Sequence, residues 1–180
     1  MLAFDLGGIR GASREGYKTV NLLPAADICE NFLHLDAFCM DGSVDAFLLS
    51  HSLEHVPVVA YIPFLEKLRR KLKVGGIVEI IQTDIEALMR EYFEGRLSWQ
   101  TVQCATITPA SRVAMNPMDE HKSIHCAASL TLDLTAVGFT KTWSEPIGPW
   151  DFCLDHDLHP EITKDDWYKP IPQLRVFGQA

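Results

Sequence analysis

Val44-Asp45-Ala46-Phe47-Leu48-Leu49, followed by Ser50-His51-Ser52-Leu53-Glu54-His55-Val56-Pro57, is the stretch on which the fold turns. The first six residues are an apolar run after the turn signal Asp41-Gly42-Ser43, and they read as a buried strand. From about Pro57 to Lys73 the period changes. Ile62, Leu65, Leu68 and Leu72 recur at helical spacing, and lysines and arginines gather near the C-terminal end, where the helix dipole favours them. Val74-Gly75-Gly76 closes the helix, and Ile77 to Gln82 is a β-branched strand. Strand, helix, strand with this spacing is a parallel crossover unit.

Working outward, Leu2 to Leu6 reads as a short strand stopped by Gly7-Gly8, and Tyr17 to Leu23 as a second stopped by Pro24. About ten residues separate the two, scarcely enough for a crossover, so a helix between them is rudimentary or absent. Phe32 to Leu35 is a third short strand. Asp84 to about Phe93 is a helix, 98–116 shows no clean period and reads as a loop or lid, and residues from about His121 to Val137 read as helical up to Gly138. Phe139 to Glu145 and Gln173 to Phe177 form a closing pair of strands, joined by a long connection rich in proline and aspartate. The pattern predicts a single α/β domain over 1–180 with a lid at about 98–120. It is a Rossmann-like three-layer sandwich with a mostly parallel sheet and an antiparallel C-terminal strand. Such sheets bind ligands at the carboxyl ends of their strands, which here fall near Gly7, Asn21, Ser50 and Thr83.

Composition narrows the function. The 180 residues carry a formal net charge of −8, which argues against a nucleic-acid partner. The basic run Lys67, Arg69, Arg70, Lys71 and Lys73 reads as a solvated helix face. Five cysteines without CxxC spacing point to reduced thiols in a cytoplasm-like compartment. No apolar run reaches the ~20 residues of a membrane span. Oligomeric state is not legible.

In order along the chain come Asp5-Leu6-Gly7-Gly8, Gly16-Tyr17-Lys18-Thr19-Val20-Asn21-Leu22, Ala26-Asp27-Ile28, Asp36 and Asp41-Gly42-Ser43-Val44-Asp45. They are followed by Ser50 to Val56, Leu72-Lys73-Val74-Gly75-Gly76, Thr83-Asp84-Ile85-Glu86-Ala87-Leu88, His121 and Gly138-Phe139. This series resembles the class I S-adenosylmethionine-dependent methyltransferases, in particular the compact type 11-like branch. The resemblance implies S-adenosylmethionine as cofactor and methyl transfer to a small-molecule or glycan oxygen or nitrogen. It implies that Asp5, Gly7 and Gly8 take the amino-acid end of the cofactor, Asn21 and Leu22 the ribose, Asp36 and Ala37 the adenine, and Ser50 the rim beside the sulfonium.

The chain departs from that family twice. Ile9 stands where the glycine-rich turn has its middle glycine, and a β-branched residue resists positive φ. Asn21 stands where a carboxylate usually accepts from the ribose hydroxyls, so by this reading Asn21→Asp tightens cofactor binding. Both departures favour an alternative, a non-catalytic binding or assembly module that keeps the fold.

His121 and His51 are the candidates for a catalytic base, and His55, Asp84 and His125 for substrate contacts. Each has a structural alternative. His51 and His55 can hold their loop together with Glu54, His121 can cap or hold the lid, and Asp84 can cap the helix that follows. Residues 51–55 also spell H-x-x-E-H, an inverted zinc-hydrolase motif. That motif needs a regular helix, which Pro57 and the preceding strand oppose, so no metal ligand is assigned.

Overall fold

The computed structural model describes residues 1–8, 10–11, 13–107, 120–148 and 171–180. Ile9 and most of the expected lid, 108–119, lie outside the described residues. Among the described residues seven strands form one sheet: β1 (Ala3–Leu6), β2 (Lys18–Asn21), β3 (Ile28–Cys29), β4 (Val44–Ser50), β5 (Leu72–Thr83), β6 (Lys141–Ser144) and β7 (Gln173–Gln179). Their spatial order is β3-β2-β1-β4-β5-β7-β6. The first five run parallel, and β7 is antiparallel to both β5 and β6. This is the Rossmann-like α/β architecture expected, with the antiparallel strand inserted between β5 and β6.

Alternation along the strands sorts the sheet into two faces. Phe4, Leu6, Val20, Phe47, Leu49, Val78, Ile80 and Val176 belong to the main core. Helix α1 (Val58–Lys71) adds Phe64, Leu65 and Leu68 to that core, and helix α4 (Ala127–Ala136) adds Leu130 and Leu134. The pairing register lines up a second row across the sheet: Thr19, Asp5, Leu48, Glu79, Phe177 and Trp143. No helix occurs among the described residues between β1 and β2, in keeping with a gap of only eleven residues, 7–17. Arg14 of that connection instead reaches across to Glu79 of β5, donating at 2.5 and 2.9 Å, while Arg175 of β7 donates to the same carboxylate at 2.9 Å.

Several elements differ from the sequence reading. The third strand is Ile28–Cys29, paired with β2, whereas Leu35–Ala37 is a 3-10 turn whose Leu35 is buried in the core. Strand β5 begins at Leu72, directly after α1. Gly75, at φ +81°, lets the register jump, so that Val44 faces Leu72 but Ala46 faces Ile77. The buried stripe of α1 is Tyr61, Phe64, Leu65 and Leu68, and Ile62 faces outward. The expected lid begins as helix α3 (Trp99–Thr106), capped by Ser98, which accepts from Thr101 N–H. It packs with α2 (Ile85–Phe93) through Leu88, Leu97 and Val102. Residues 121–126 are not helical; α4 starts only at Ala127.

Candidate active site

The carboxyl ends of β1, β2, β4 and β5 form one rim. At the end of β1, Gly7 turns at φ +96° and donates its N–H to Val20. A Cβ on Gly7 would lie 2.2 Å from the Ser52 hydroxyl, and one on Gly8 2.3 Å from Asp5 Oδ2. Both glycines are therefore required by close approach. Asp5 is 5% exposed, and its Oδ1 has no hydrogen-bond partner among the described residues. Burial pushes this carboxyl up, with Ser13 and Arg14 opposing the shift.

Asn21 sits beside this turn, with both amide atoms engaged. Its Nδ2 donates to the Gly7 carbonyl at 2.6 Å, and its Oδ1 accepts from Leu23 N–H at 3.2 Å. Leu22 is half exposed next to it. Arg10 ties the same turn to the β2–β3 connection through Ala25 O and an ion pair with Asp27 at 3.0 Å.

Asp36 and Ala37 are not on this rim. The Asp36 carboxylate is held by Lys71 at 2.6 Å, with Lys67 and Arg70 nearby, and these attractions keep it below the ordinary aspartate range. Lys71, the last residue of α1, is buried and also grips Asp41 at 2.7 Å, just before β4 begins. Asp36 and Ala37 therefore belong to the amino-terminal side of the sheet, opposite the rim. The basic run, expected to be solvated, supplies the buried cation that holds them there.

Beyond β4 the chain takes a strained corner. Ser50 is exposed and accepts from the Ser52 hydroxyl at 3.0 Å. His51 has φ +50°, the one positive φ among described non-glycine residues, and its N–H bonds Ile81 O. A 3-10 turn, Leu53–His55, follows. Its backbone is clamped to the 120s, since Lys122 and Ser123 both donate to the Glu54 carbonyl. Glu54 is 6% exposed; His51 Nδ1 lies 3.4 Å from its Oε1, and its Oε2 has no hydrogen-bond partner among the described residues. Burial works to raise this carboxyl, but His51 and His55 hold it below the usual glutamate range.

A shallow, open cleft lies here, lined by Glu54, Gln82, Thr83, His121, Ser123 and His125, with Ala105 and Thr106 of α3. Gln82 is buried, and neither of its amide atoms has a partner among the described residues. His125 stacks on Tyr61 at 4.7 Å, its Nε2 lies 2.9 Å from the Ser123 hydroxyl, and burial lowers its basicity so that it is neutral at pH 7. His55 and His121 meet edge to face at 5.1 Å.

Of the residues singled out from the sequence, His121 and His125 line the cleft and His51 and His55 do not. Asp84 caps α2, accepting from Glu86 N–H at 3.1 Å and Ala87 N–H at 3.3 Å. The cap account is the one realised. Sequence reasoning missed Ser52, which fills the space against Gly7, and Gln82, Glu79, Arg14 and Arg175. The signal available was polarity out of place: Glu79 and Gln82 interrupt an otherwise β-branched strand, and Arg175 stands between Leu174 and Val176.

No protein-family model matches the chain, and no curated protein matches it in sequence. Solved structures do match in shape. A SAM-dependent methyltransferase from Archaeoglobus fulgidus aligns over 99% of this chain and 85% of its own length, with a TM-score of 0.61 and 13% identity. The Burkholderia thailandensis 1,6-didemethyltoxoflavin-N1-methyltransferase, solved with bound 1,6-didemethyltoxoflavin and S-adenosylhomocysteine, aligns over 99% of this chain and 70% of its own, with a TM-score of 0.58 and 15% identity. The S-adenosylmethionine-dependent methyltransferase SibL, in its apo form, aligns over 98% of this chain with a TM-score of 0.50 and 15% identity, and the chain spans 49% of its length. Several other neighbours are likewise covered over less than two thirds of their length. At these identities the likeness carries architecture and not the role of any residue. Strand order, the antiparallel β7 and these superpositions together show that the chain has the class I S-adenosylmethionine-dependent methyltransferase fold.

Proposed function

We propose that the protein transfers a methyl group from S-adenosylmethionine to a small-molecule acceptor held in the cleft between the Leu53–His55 turn, the end of β5 and α3. One juxtaposition carries this reading: residues 50–55 touch the glycine turn of β1 through Ser52 and the polar cleft through Glu54. A donor site and an acceptor site on either side of one short segment suit a group transfer between two bound molecules.

The residues at the β1 turn fit the cofactor. The buried, unpartnered Oδ1 of Asp5 suits an ammonium, and Gly7 and Gly8 permit close backbone approach. S-adenosylmethionine, when bound, supplies a methyl group on a cationic sulfur, open to in-line attack. The chain supplies the rest. Gln82 orients the acceptor by offering one donor and one acceptor. His125, neutral at pH 7, takes the proton that an attacking hydroxyl or amine gives up, and His121 stands at the same cleft. Cys29, Cys39 and Cys126 are free thiols, which accords with a reducing, cytoplasm-like setting.

Asn21 supports a second reading. Its amide is already engaged by the Gly7 carbonyl and is not left open to a ribose diol, as suits a binding module that has kept the architecture alone. Calorimetric titration with S-adenosylmethionine and S-adenosylhomocysteine separates the two. Saturable binding at micromolar ligand supports the transferase; no heat at millimolar ligand sinks it.

A further inference from the structure

Glu54, His55 and His121 lie around one point. A single ligand atom from each falls within 4.8 Å of the other two. Ligand atoms of a tetrahedral ion with bonds of about 2.0–2.1 Å stand roughly 3.4 Å apart, a distance within reach of small side-chain rotations from this arrangement. We propose that these three side chains hold a divalent transition-metal ion of the zinc class at the edge of the cleft.

Four observations point to an ion there. Glu54 is more than nine-tenths buried and presents an oxygen with no hydrogen-bond partner among the described residues. A buried carboxylate oxygen left in that state is costly, and a cation satisfies it. His55 is already set in one tautomer, because its Nδ1 lies 3.2 Å from the Glu120 carbonyl. A carbonyl only accepts, so Nδ1 carries the proton and Nε2 presents its lone pair, the usual outer-shell arrangement of a metal-bound imidazole. The backbone around the site is fixed in advance, since Lys122 and Ser123 both donate to the Glu54 carbonyl and so hold His121 against the Leu53–His55 turn. Two neutral imidazoles and one carboxylate form a nitrogen-and-oxygen set of net charge −1, which suits zinc and its first-row neighbours better than calcium or magnesium.

The arrangement is not the H-x-x-E-H helix that residues 51–55 spell. The positive φ of His51 breaks any helical face, and His51 Nδ1 turns to Glu54 Oε1 instead. His121, sixty-six positions from His55, takes the place of that motif's first histidine. Three protein ligands leave the ion an open position, and Glu54 and His121 both line the cleft. The unpartnered Gln82 amide shares that lining and is placed to hydrogen-bond whatever molecule the ion binds.

Ion binding does not depend on the methyl-transfer reading and is tested without cofactor. The full chain, stripped with a chelator, is titrated with Zn²⁺ against a chromophoric competitor. One ion per chain is expected, with affinity lowered at least a hundredfold by His55→Ala or His121→Ala and unchanged by His34→Ala, an exposed histidine beside Glu30. Circular dichroism checks that the variants are folded. X-ray absorption of the zinc-loaded wild-type chain needs no variant and is expected to show nitrogen and oxygen ligation with two imidazoles. Absence of binding, affinity untouched by both His55→Ala and His121→Ala, or a sulfur shell from the cysteines overturns the proposal. Zinc binding without S-adenosylhomocysteine binding keeps this site and sinks methyl transfer; the converse keeps methyl transfer and sinks this site.

Discussion

The side-chain amide of Asn21 donates to the carbonyl of Gly7 across 2.6 Å, joining the end of β2 to the turn that follows β1. This contact argues against the expectation that Asn21→Asp tightens cofactor binding. In Asn21→Asp a carboxylate oxygen replaces the donor and faces the Gly7 carbonyl oxygen. The variant is expected to lose about 1–3 kcal/mol of stability in urea unfolding and to gain no affinity for S-adenosylhomocysteine in calorimetry. Unchanged stability with tighter binding would mean that the amide is not needed where it stands.

Gly7 separates two costs. Gly7→Ala places a methyl group against the Ser52 hydroxyl and holds alanine at φ +96°. We expect a loss of at least about 2 kcal/mol, of which roughly 1–2 kcal/mol is the backbone term. Adding Ser52→Gly should recover the steric part only. Full recovery in chemical denaturation would show that φ carries no penalty.

Glu79 ties Arg14 and Arg175 to the middle of the sheet. Burial raises this carboxyl, but the two guanidinium groups more than offset it, so its folded-state pKa lies below the ordinary 4.5. A depressed acid stabilises the fold above its unfolded pKa and loses that contribution as pH falls. Glu79→Gln is therefore expected to cost about 2–3 kcal/mol at pH 7. It should also remove part of the wild-type loss of stability below about pH 4.5, read from Tm against pH.

His125 acts in a different window. Burial depresses its basicity from the ordinary 6.5, with Asp133 and Glu54 opposing. Its contribution is present above pH 6.5 and declines as pH falls through the lowered value. Wild-type Tm should fall as the pH drops below about 6.5, and His125→Gln should flatten that slope. An equal slope in both proteins would place the titrating group elsewhere.

The strands at the centre of the fold were legible because their side chains obey one rule. Val44 to Leu49 and Ile77 to Gln82 are apolar enough to be buried on both faces, and the helix between them shows its period. The legible part ended where tertiary contacts decide. Ile62 fits the α1 stripe by spacing, yet Tyr61 and Phe64 are buried instead, with Tyr61 stacking on His125. Asp36 has the position in the series expected of an adenine contact, but Lys71 draws it to the opposite rim. His121 and His125 were visible as polar residues before a late helix. Their meeting with Glu54, about seventy residues earlier, depends on backbone bonds from Lys122 and Ser123 that leave no mark in composition or period.

The corner at His51 gives the molecule a mechanical link. Ser52 lies against the glycine turn and Glu54 against the cleft, so a ligand that displaces Ser52 is expected to shift the carboxylate two residues on. Linkage then makes the effect mutual: whatever the first occupant does to the affinity of the second, the second does equally to the first. The two compartments are therefore expected to be coupled, with a sign readable by titrating each ligand in the presence of the other.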